Sequence, residues 1–310
     1  VAGVGARVVG SLPFPDIEHF RADLALMDAT IGTGQRRGIS ALDALASASS
    51  SLWTSLDLPR KEFVGGSGAA WTSGASWIGG ASPNAGNIAF VRDLRSASLT
   101  GPGNAGTLIV TEGAELTLNP GAFLTVADEI SLSGGGLIRV MNNATLFGQS
   151  GGELNMIGGS TITVQGGTIR PSGGASIGAG TQISGFGSVL ADGLIVNDGV
   201  LRATGGTLFV AAIGPGSVDL DGAENNGVVY AANGDLSFDA PMTDAFNGDM
   251  IVDPARTLTM VRPWTQGAAD TPPFQMNAGL LDLNGGGLLS PATLAGGTAT
   301  LRGDVQASGV

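Results

Sequence analysis

The sequence contains no cysteine and few of the residues on which most active sites depend. Its 310 residues include one histidine, one lysine and one tyrosine, and only 13% of them are charged. The absence of cysteine excludes disulfide bonds and cysteine-ligated zinc or iron–sulfur sites. The one histidine, His19, has no second histidine with which to complete a metal-binding or catalytic pair.

Cationic residues are also scarce, with 14 against 26 acidic residues and a net charge of −12. Phosphate backbones are bound through clustered Lys and Arg, so we expect no nucleic-acid partner. No apolar run approaches the roughly 18 residues of a membrane-spanning helix, so we expect no membrane insertion by this segment. The hydrophobic fraction of 43% indicates a folded chain rather than a disordered one.

Glycine, by contrast, is abundant and unevenly distributed. Of the 53 glycines only 6 lie in residues 1–60. In that part, apolar residues from Ile17 to Met27 recur at spacings of three and four, which predicts a helix. We therefore predict an N-terminal helical cap or docking region over residues 1–63. A glycine-rich β domain is predicted over residues 64–310.

In the β domain the apolar residues recur with a period of two, which is typical of strands. Gly, Asn, Ser and Asp fill the gaps, and no helical pattern separates the runs. The predicted strand runs are residues 107–110, 115–118, 123–126, 129–132, 137–140, 161–164, 194–196 and 207–210.

Six glycine-led segments of the β domain align with one another. In each, the third residue is a branched aliphatic and the eighth is glycine or asparagine. The first five segments start about 30 residues apart, and a recurring unit of this length is typical of a solenoid. The segments are 106–116, 136–146, 167–177, 199–209, 227–237 and 279–289.

The aligned columns predict which side chains point inward. Residues two apart in a strand point the same way, so the third and fifth columns are expected in the interior. Glycine or asparagine in the eighth column predicts a corner at positive φ. The third column is Leu108, Ile138, Ile169, Leu201, Val229 and Leu281; the fifth is Val110, Val140, Pro171, Ala203, Ala231 and Leu283; the eighth is Gly113, Asn143, Gly174, Gly206, Gly234 and Gly286.

These features predict a mostly β protein, a right-handed parallel β-helix, whose coils pair edge to edge and bury their apolar sides against their neighbours. We favour one coil of three or four strands for each repeat unit. Two alternatives stay open, namely more than one shorter coil in each unit and, for the fold, a β-sandwich array. Trp71 and Trp77 are expected to cover the open N-terminal end of the solenoid. The final segment LRGDVQASGV shows no cap, so we expect a further segment or another subunit to cover that edge.

Two stretches resemble bacterial secreted repeat proteins. WTSGASWIGGASPNAGNIAFV (71–91) resembles their opening coil, with two tryptophans, a glycine pair and a Pro-Asn-x-Gly turn before the first strands. NGDLSFDAPMTDAFNGDMIVDPARTLTMV (233–261) resembles the autotransporter-associated β-strand repeat. The resemblance covers about residues 66–303. It implies export and a β-helix passenger or surface protein, located extracellularly, at a cell surface or on a virion surface, and it implies no particular ligand.

The acidic residues offer little support for an enzyme. Glycoside hydrolysis needs two carboxylates facing each other across the bond that is cleaved. Several acids between residues 105 and 215 flank corners, which are common solvated positions. We therefore expect no enzymatic activity, with a polysaccharide lyase or glycosidase as the alternative. The acids in this range are Glu112, Glu115, Asp128, Glu129, Glu153, Asp192 and Asp198.

The fourth column of the repeat is the first candidate binding site, because it should point outward. If one unit is one coil, three arginines and a tyrosine stack on one face and suit an acidic polysaccharide, or acids of another subunit, through guanidinium forks. The alternative is that each arginine pairs with local acids or water, and the row is broken if a unit covers more than one coil. The predicted ligand-binding residues are Arg139, Arg170, Arg202 and Tyr230.

The second candidate site lies in VDLDGAENN (218–226). Asp219 and Asp221 share a strand face, and Glu224 follows just beyond a glycine. Hard oxygen ligands at alternate positions suit calcium, so these three residues are a candidate calcium site. An ordinary Asp/Asn-rich turn is the alternative. No other cofactor is expected.

Together these patterns predict a non-catalytic exported structural or surface protein, such as an adhesin, a fibre or a subunit of a filament or layer. Its expected partner is a second copy of the chain, bound through the solenoid ends or the N-terminal helices. The alternative is a β-helix that binds or cleaves a polysaccharide, including proteins like phage tailspikes.

Overall fold

The computed structural model describes residues 59–149, 151–222, 227–265, 275–276, 279–283, 287–289 and 305–307. These ranges are nearly all β structure, with one short 3-10 turn at Gly74–Ser76. None of their helical structure has the length and apolar character that crossing a bilayer requires. The predicted helices and His19 lie outside the described residues, so the N-terminal helical region stays a prediction.

The strands stack in three parallel sets, which we call faces A, B and C. Face A contains β1 (Arg60–Glu62), β3 (Ile88–Val91), β10 (Glu153–Met156), β12 (Gly174–Ile177), β14 (Leu194–Asn197), β16 (Val218–Asp219) and the second parts of β5 (Pro102–Val110) and β7 (Phe123–Leu132).

Face B contains β2 (Ala69–Ala70), β4 (Ser96–Leu99), β6 (Glu115–Leu118), β8 (Leu137–Val140), β17 (Val228–Asn233), β19 (Asp249–Val252), β22 (Gln275–Met276) and the first parts of β11 (Thr161–Pro171), β13 (Gln182–Ala191) and β15 (Val200–Ala212).

Face C contains β9 (Thr145–Gly148), β18 (Leu236–Asp239), β20 (Thr257–Met260), β23 (Leu280–Leu283) and the remaining parts of β5, β7, β11, β13 and β15. A further parallel sheet consists of β21 (Trp264–Thr265), β24 (Gly287–Leu289) and β25 (Val305–Ala307). The chain visits faces A, B and C in turn, so the fold is a parallel β-solenoid with three faces. The sequence predicted the parallel β-solenoid.

The pairing register shows where each coil begins and ends. Gln182 pairs with Val200 and Val200 pairs with Val228, so successive coils differ in length. The prediction of one coil for each repeat unit is wrong for the units that begin at 106, 136 and 167. Each of these runs past a full coil, since Thr107 already pairs with Glu129, Leu137 with Thr161 and Thr168 with Ser188. Parallel pairing throughout these faces also excludes the β-sandwich array. The eight predicted strand runs all lie within strands.

The apparent repeat has a physical origin other than a coil. Its first three segments begin on faces A, B and C respectively, with Thr107, Leu137 and Thr168 near their starts. Most of the four-residue strand segments on all three faces follow one rule, in which two apolar side chains point inward and a tight corner follows. Segments from different faces therefore align with one another even though they do not stack.

The inward columns are confirmed wherever burial is described, which leaves out Leu283. All six third-column residues have no exposed surface, and the same holds for Val110, Val140, Ala203 and Ala231 in the fifth column, while Pro171 is also buried. The core is continuous from Phe63 to Leu281. Burying one such aliphatic side chain contributes about 1.5–3 kcal/mol, so the stacked interior is the main source of stability.

The turns between faces A and B explain why the chain needs so many glycines. In four successive coils these turns place two consecutive residues at positive φ, with Asp93–Leu94, Glu112–Gly113, Gly134–Gly135 and Gly158–Gly159 between +52° and +77°. Their main chains continue the hydrogen-bonded stack, since Gly113 N donates to Gly134 O and Gly135 N donates to Gly158 O. This conformation favours glycine because it lacks Cβ.

The eighth-column prediction is confirmed at Gly113, Asn143 and Gly174, whose φ values are positive. It is wrong at Gly206 and Gly234, which are outside the left-handed region. Glycine is required there by lack of space. A Cβ on Gly234 would lie 2.2 Å from the Gly206 carbonyl oxygen. Gly286 lies outside the described residues.

The N-terminal end of the described solenoid is filled by aromatic side chains. Phe63, Trp71 and Trp77 are at most 2% exposed, and Phe63 forms an antiparallel bridge with Trp77. Arg60–Glu62 already pairs with face A at Ile88–Phe90, so the solenoid includes residues before 64. The two tryptophans thus lie in the first described coil, where the sequence placed them.

Candidate functional site

A cluster of carboxylates lies where face A turns toward face B. Asp219 ends β16, and Asp221 follows two residues later at the turn. Asp244 belongs to the next coil, and it comes close because Val218 forms a parallel bridge with Met242. One side-chain oxygen of each of the three acids lies within 4.8 Å of the others.

The three acids differ in exposure and in hydrogen bonding. Asp221 has no exposed surface, Asp219 is half-buried and Asp244 is exposed. The main-chain N–H of Gly222 donates to Asp219 Oδ1 at 2.7 Å, and that of Asn247 donates to Asp221 Oδ2 at 2.7 Å. The other oxygen of Asp221, Oδ1, is buried and has no hydrogen-bond donor.

Burial raises the pKa of both Asp219 and Asp221 above the ordinary aspartate value, because it disfavours the charged form. The negative charge of Asp244 raises both pKa values further, and Asp198 adds to the effect on Asp219. Two main-chain donors partly offset the shift. The corner therefore places three carboxylates close together, and among them Asp221 is shielded from solvent.

The structure describes two of the three predicted calcium-binding residues. The structure brings Asp219 and Asp221 together as expected, while Glu224 lies outside the described residues. Sequence reasoning missed Asp244, which reaches the cluster only through the stacking of coils. Knowledge of the local coil length, which runs from Val218 to its bridge partner Met242, would have identified it.

The predicted arginine row is not a single stack. Arg139 and Arg202 both lie on face B, but Thr163 and Ser184 occupy the rungs between them. At about 4.8 Å for each rung, their main chains are about 14 Å apart. Arg170 lies on face C. The single-coil premise of the row is wrong, so its three guanidinium groups do not line one face.

Each of these arginines has partners close by. Arg139 Nε donates to Glu115 Oε1 at 2.8 Å. Arg170 Nη2 lies 3.6 Å from Asp192 Oδ1, and the guanidinium carbon of Arg170 lies 5.8 Å from the centre of the Phe147 ring. This is the local pairing that the sequence left open as the alternative. Exposed pairs of this kind contribute at most about 1 kcal/mol.

Arg202 and Tyr230 are true neighbours. They occupy the same position in consecutive rungs of face B, and the guanidinium carbon lies 5.2 Å from the centre of the tyrosine ring. The Tyr230 hydroxyl donates to Asp253, one coil further on, with both carboxylate oxygens at 3.1 Å. Burial and the Asp253 carboxylate raise the pKa of Tyr230 above its usual 10, while Arg202 lowers it.

A groove of about 480 Å³ follows the corner between faces B and C across several coils. Phe186 is 36% exposed at its centre. Its ring lies over neighbouring coils at Gly166 and Gly206, where an added Cβ would lie 3.3 Å and 3.1 Å from the nearest ring carbon. Amide and hydroxyl side chains share the lining with apolar ones. The polar lining residues include Asn142, Gln165, Thr204 and Asn233.

Three of the acids considered for glycoside hydrolysis, Glu115, Glu129 and Asp192, form local surface interactions. Glu115 accepts hydrogen bonds from Thr117 and Arg139, and Glu129 accepts one from Asn155. Asp128 is exposed. The described residues that line the groove include no carboxylate. The described chain thus offers three separate features, which are an acidic corner, an Arg–Tyr–Asp chain on face B and a groove with an aromatic centre.

Comparisons of the chain with protein-family models, with curated proteins and with solved structures found no match.

Proposed function

We propose that this protein is a non-catalytic, exported structural or surface protein that acts through the shape and self-association of a right-handed β-solenoid. The observation that carries the proposal is the parallel stacking of strands on faces A, B and C over an apolar core. Such stacking repeats similar surfaces from one coil to the next, which suits an adhesin, a fibre or a layer subunit.

The outward side chains support the same proposal. In one outward row of face B, four of the seven side chains are Ser or Thr, and Arg139 and Arg202 contact side chains of an adjacent coil. Small side chains leave a flat surface on which a second copy can lie without displacing long, solvated chains. The outward row of face B includes Ser98, Thr117, Arg139, Thr163, Ser184, Arg202 and Tyr230.

The oligomeric state of the purified chain tests this proposal. Light scattering combined with negative-stain imaging should give filaments, sheets or a fixed oligomer. A monomer that persists at high protein concentration would contradict self-assembly. Either result is independent of any ligand.

A second candidate function, binding of a polysaccharide, is favoured by the groove between faces B and C. An exposed aromatic ring can stack against the apolar face of a sugar, and the amides of Asn142, Gln165 and Asn233 can bond its hydroxyls. Arg139 and Arg202 precede the groove on face B and carry positive charge suited to uronic or sulfated sugars. The absence of carboxylates from the described lining favours binding over hydrolysis by an acid pair.

Titration with neutral and acidic oligosaccharides tests this second function. Binding without products supports it, and release of products would support the cleaving alternative. Phe186→Ala should weaken binding at least tenfold. Phe123→Ala is the matched control, because Phe123 is 43% exposed on face C and does not line the groove. Equal affinity in both variants would contradict the groove as the site.

A further inference from the structure

Three carboxylates converge at the acidic corner. Asp219, Asp221 and Asp244 converge within 4.8 Å, and the described residues include no arginine or lysine in an ion pair with any of the three. Asp198 adds a fourth carboxylate, since its Oδ1 lies 2.1 Å from where a Cβ on Gly222 would be. Carboxylates held this close repel one another unless a cation or proton lies between them.

The unpartnered Oδ1 of Asp221 indicates that this corner needs a hydrogen-bond donor or a cation. Asp221 is fully buried, one of its oxygens is bonded to Asn247 N, and Oδ1 has no donor. Burying a charged oxygen without a partner is unfavourable, so such atoms in folded proteins normally meet a donor or a metal ion. The half-buried Asp219 and the exposed Asp244 leave this corner accessible from solvent.

We propose that Asp219, Asp221 and Asp244 form a calcium site that joins two consecutive coils of the solenoid. Hard oxygen donors of this kind are the ligands that calcium prefers. Ca–O distances of about 2.4 Å allow two ligands of one ion to be up to about 5 Å apart, and the cluster lies within that limit. Mg²⁺ binds at about 2.0–2.1 Å in strict octahedral geometry, so it suits this span less well.

The ion acts as a crosslink between coils. Asp219 and Asp221 belong to one coil and Asp244 to the next, and the Val218–Met242 bridge and the hydrogen bond from Asn247 N to Asp221 Oδ2 connect the same two coils at this corner. Calcium therefore stabilises the solenoid in the coil that runs from Val200 to its pairing partner Val228, which is longer than the coil before it.

The test is calorimetric titration of the full chain with CaCl₂, together with thermal unfolding in calcium, magnesium or chelator. We expect saturable calcium binding. We also expect a rise in the unfolding midpoint of about 5–10 °C at a calcium concentration about 100 times the dissociation constant. Equimolar magnesium should raise the midpoint much less.

Asp221→Asn is the decisive variant, because it keeps the volume and removes the buried charge. In chelator it should unfold at or above the wild-type midpoint, which shows that it is folded. In calcium it should lose the rise in the midpoint and bind calcium at least tenfold more weakly. Asp244→Asn should weaken binding in the same way from the exposed side.

Asp128→Asn is the matched control, since Asp128 is exposed and lies elsewhere on the solenoid. It should keep the full calcium response. The proposal is overturned if wild type shows no calcium-dependent shift, or if magnesium gives the same shift. It is also overturned if Asp221→Asn responds like Asp128→Asn, because calcium would then only screen the net charge of −12.

Discussion

The indole Nε1–H of Trp77 donates a hydrogen bond of 2.6 Å to the main-chain carbonyl of Trp71, and the two rings meet edge to face with centroids 4.7 Å apart. Trp71 Nε1, by contrast, is buried without an acceptor. The two tryptophans of the first described coil therefore differ in hydrogen bonding, because the indole N–H of Trp77 has an acceptor and that of Trp71 has none.

This difference predicts unequal costs for the same substitution. Trp77→Phe removes a bonded donor and leaves the Trp71 carbonyl unpaired, so it should lower the free energy of unfolding by about 2–3 kcal/mol. Trp71→Phe removes an unpaired donor and should cost about 1 kcal/mol less. Urea unfolding measures both. Ile78→Ala, at a side chain 54% exposed, should change stability by less than about 0.5 kcal/mol. Equal losses in the two tryptophan variants would contradict the assignment.

Tyr230 predicts an unusual alkaline titration that is simple to observe, because it is the one tyrosine in the sequence. Absorbance of the folded protein at alkaline pH should give a pKa above the usual 10, owing to burial and the Asp253 carboxylate. Asp253→Asn should lower that pKa and Arg202→Gln should raise it. A shift in the same direction in both variants would contradict the Arg–Tyr–Asp arrangement.

The same pKa predicts how stability changes with pH. Since the folded-state pKa is raised, the folded protein retains the phenolic proton longer than the unfolded chain does. The contribution of the protonated Tyr230 hydroxyl to the free energy of unfolding is therefore fully present below pH 10. It is lost as the pH rises through the folded-state pKa. Tyr230→Phe should remove this slope from the alkaline limb of a pH-dependent unfolding series. A slope unchanged by the substitution would assign it to another group.

Two carboxylates on the solenoid surface, Glu62 and Glu115, should contribute unequally to the free energy of unfolding. Glu62 binds Arg92 through both oxygens at 3.1 and 3.2 Å and also binds Arg60, with its side chain 17% exposed. Glu115 has one arginine partner and is 32% exposed. Glu62→Gln should cost about 1–2 kcal/mol, whereas Glu115→Gln should cost less than about 1 kcal/mol. Unfolding at low and high salt checks both, and added salt should shrink the smaller effect most.

Alanine substitutions at three glycines distinguish the cost of backbone strain from the cost of lack of space for a Cβ. Gly66 is outside the left-handed region with open space around it, Gly214 has φ +75° with open space, and a Cβ on Gly234 would lie 2.2 Å from a carbonyl oxygen. Alanine should be neutral or slightly stabilising at Gly66. It should cost about 1–2 kcal/mol at Gly214 and about 3 kcal/mol or more at Gly234. Any other order of the three unfolding midpoints would contradict the assigned causes.

The local rules of the fold could be predicted from the sequence. Strands such as Phe123–Leu132 were found because inward and outward side chains alternate with a period of two. The corners were found because the left-handed conformation favours glycine and asparagine, as at Gly113 and Asn143. The length of a coil could not be predicted in this way, because strands of all three faces follow the same rule.

The candidate site was predicted only where it depends on neighbours in sequence. Asp219 and Asp221 were identified because residues two apart share a strand face. Asp244 was missed because its approach depends on how many residues the intervening coil contains. The arginine row failed for the same reason, since Arg139 and Arg202 lie three rungs apart on face B.

The sequence by itself therefore determined that this protein is a β-solenoid, which side chains fill its interior and where its chain turns. These properties follow from side-chain alternation and from the conformational freedom of glycine, and both act within a few residues. Only the tertiary structure decided which residues stand beside each other along the solenoid. Coils of unequal length, such as those from Gln182 to Val200 and from Val200 to Val228, stack by hydrogen-bond register. One residue added to a turn therefore increases by one the sequence separation between all residues that pair across that turn.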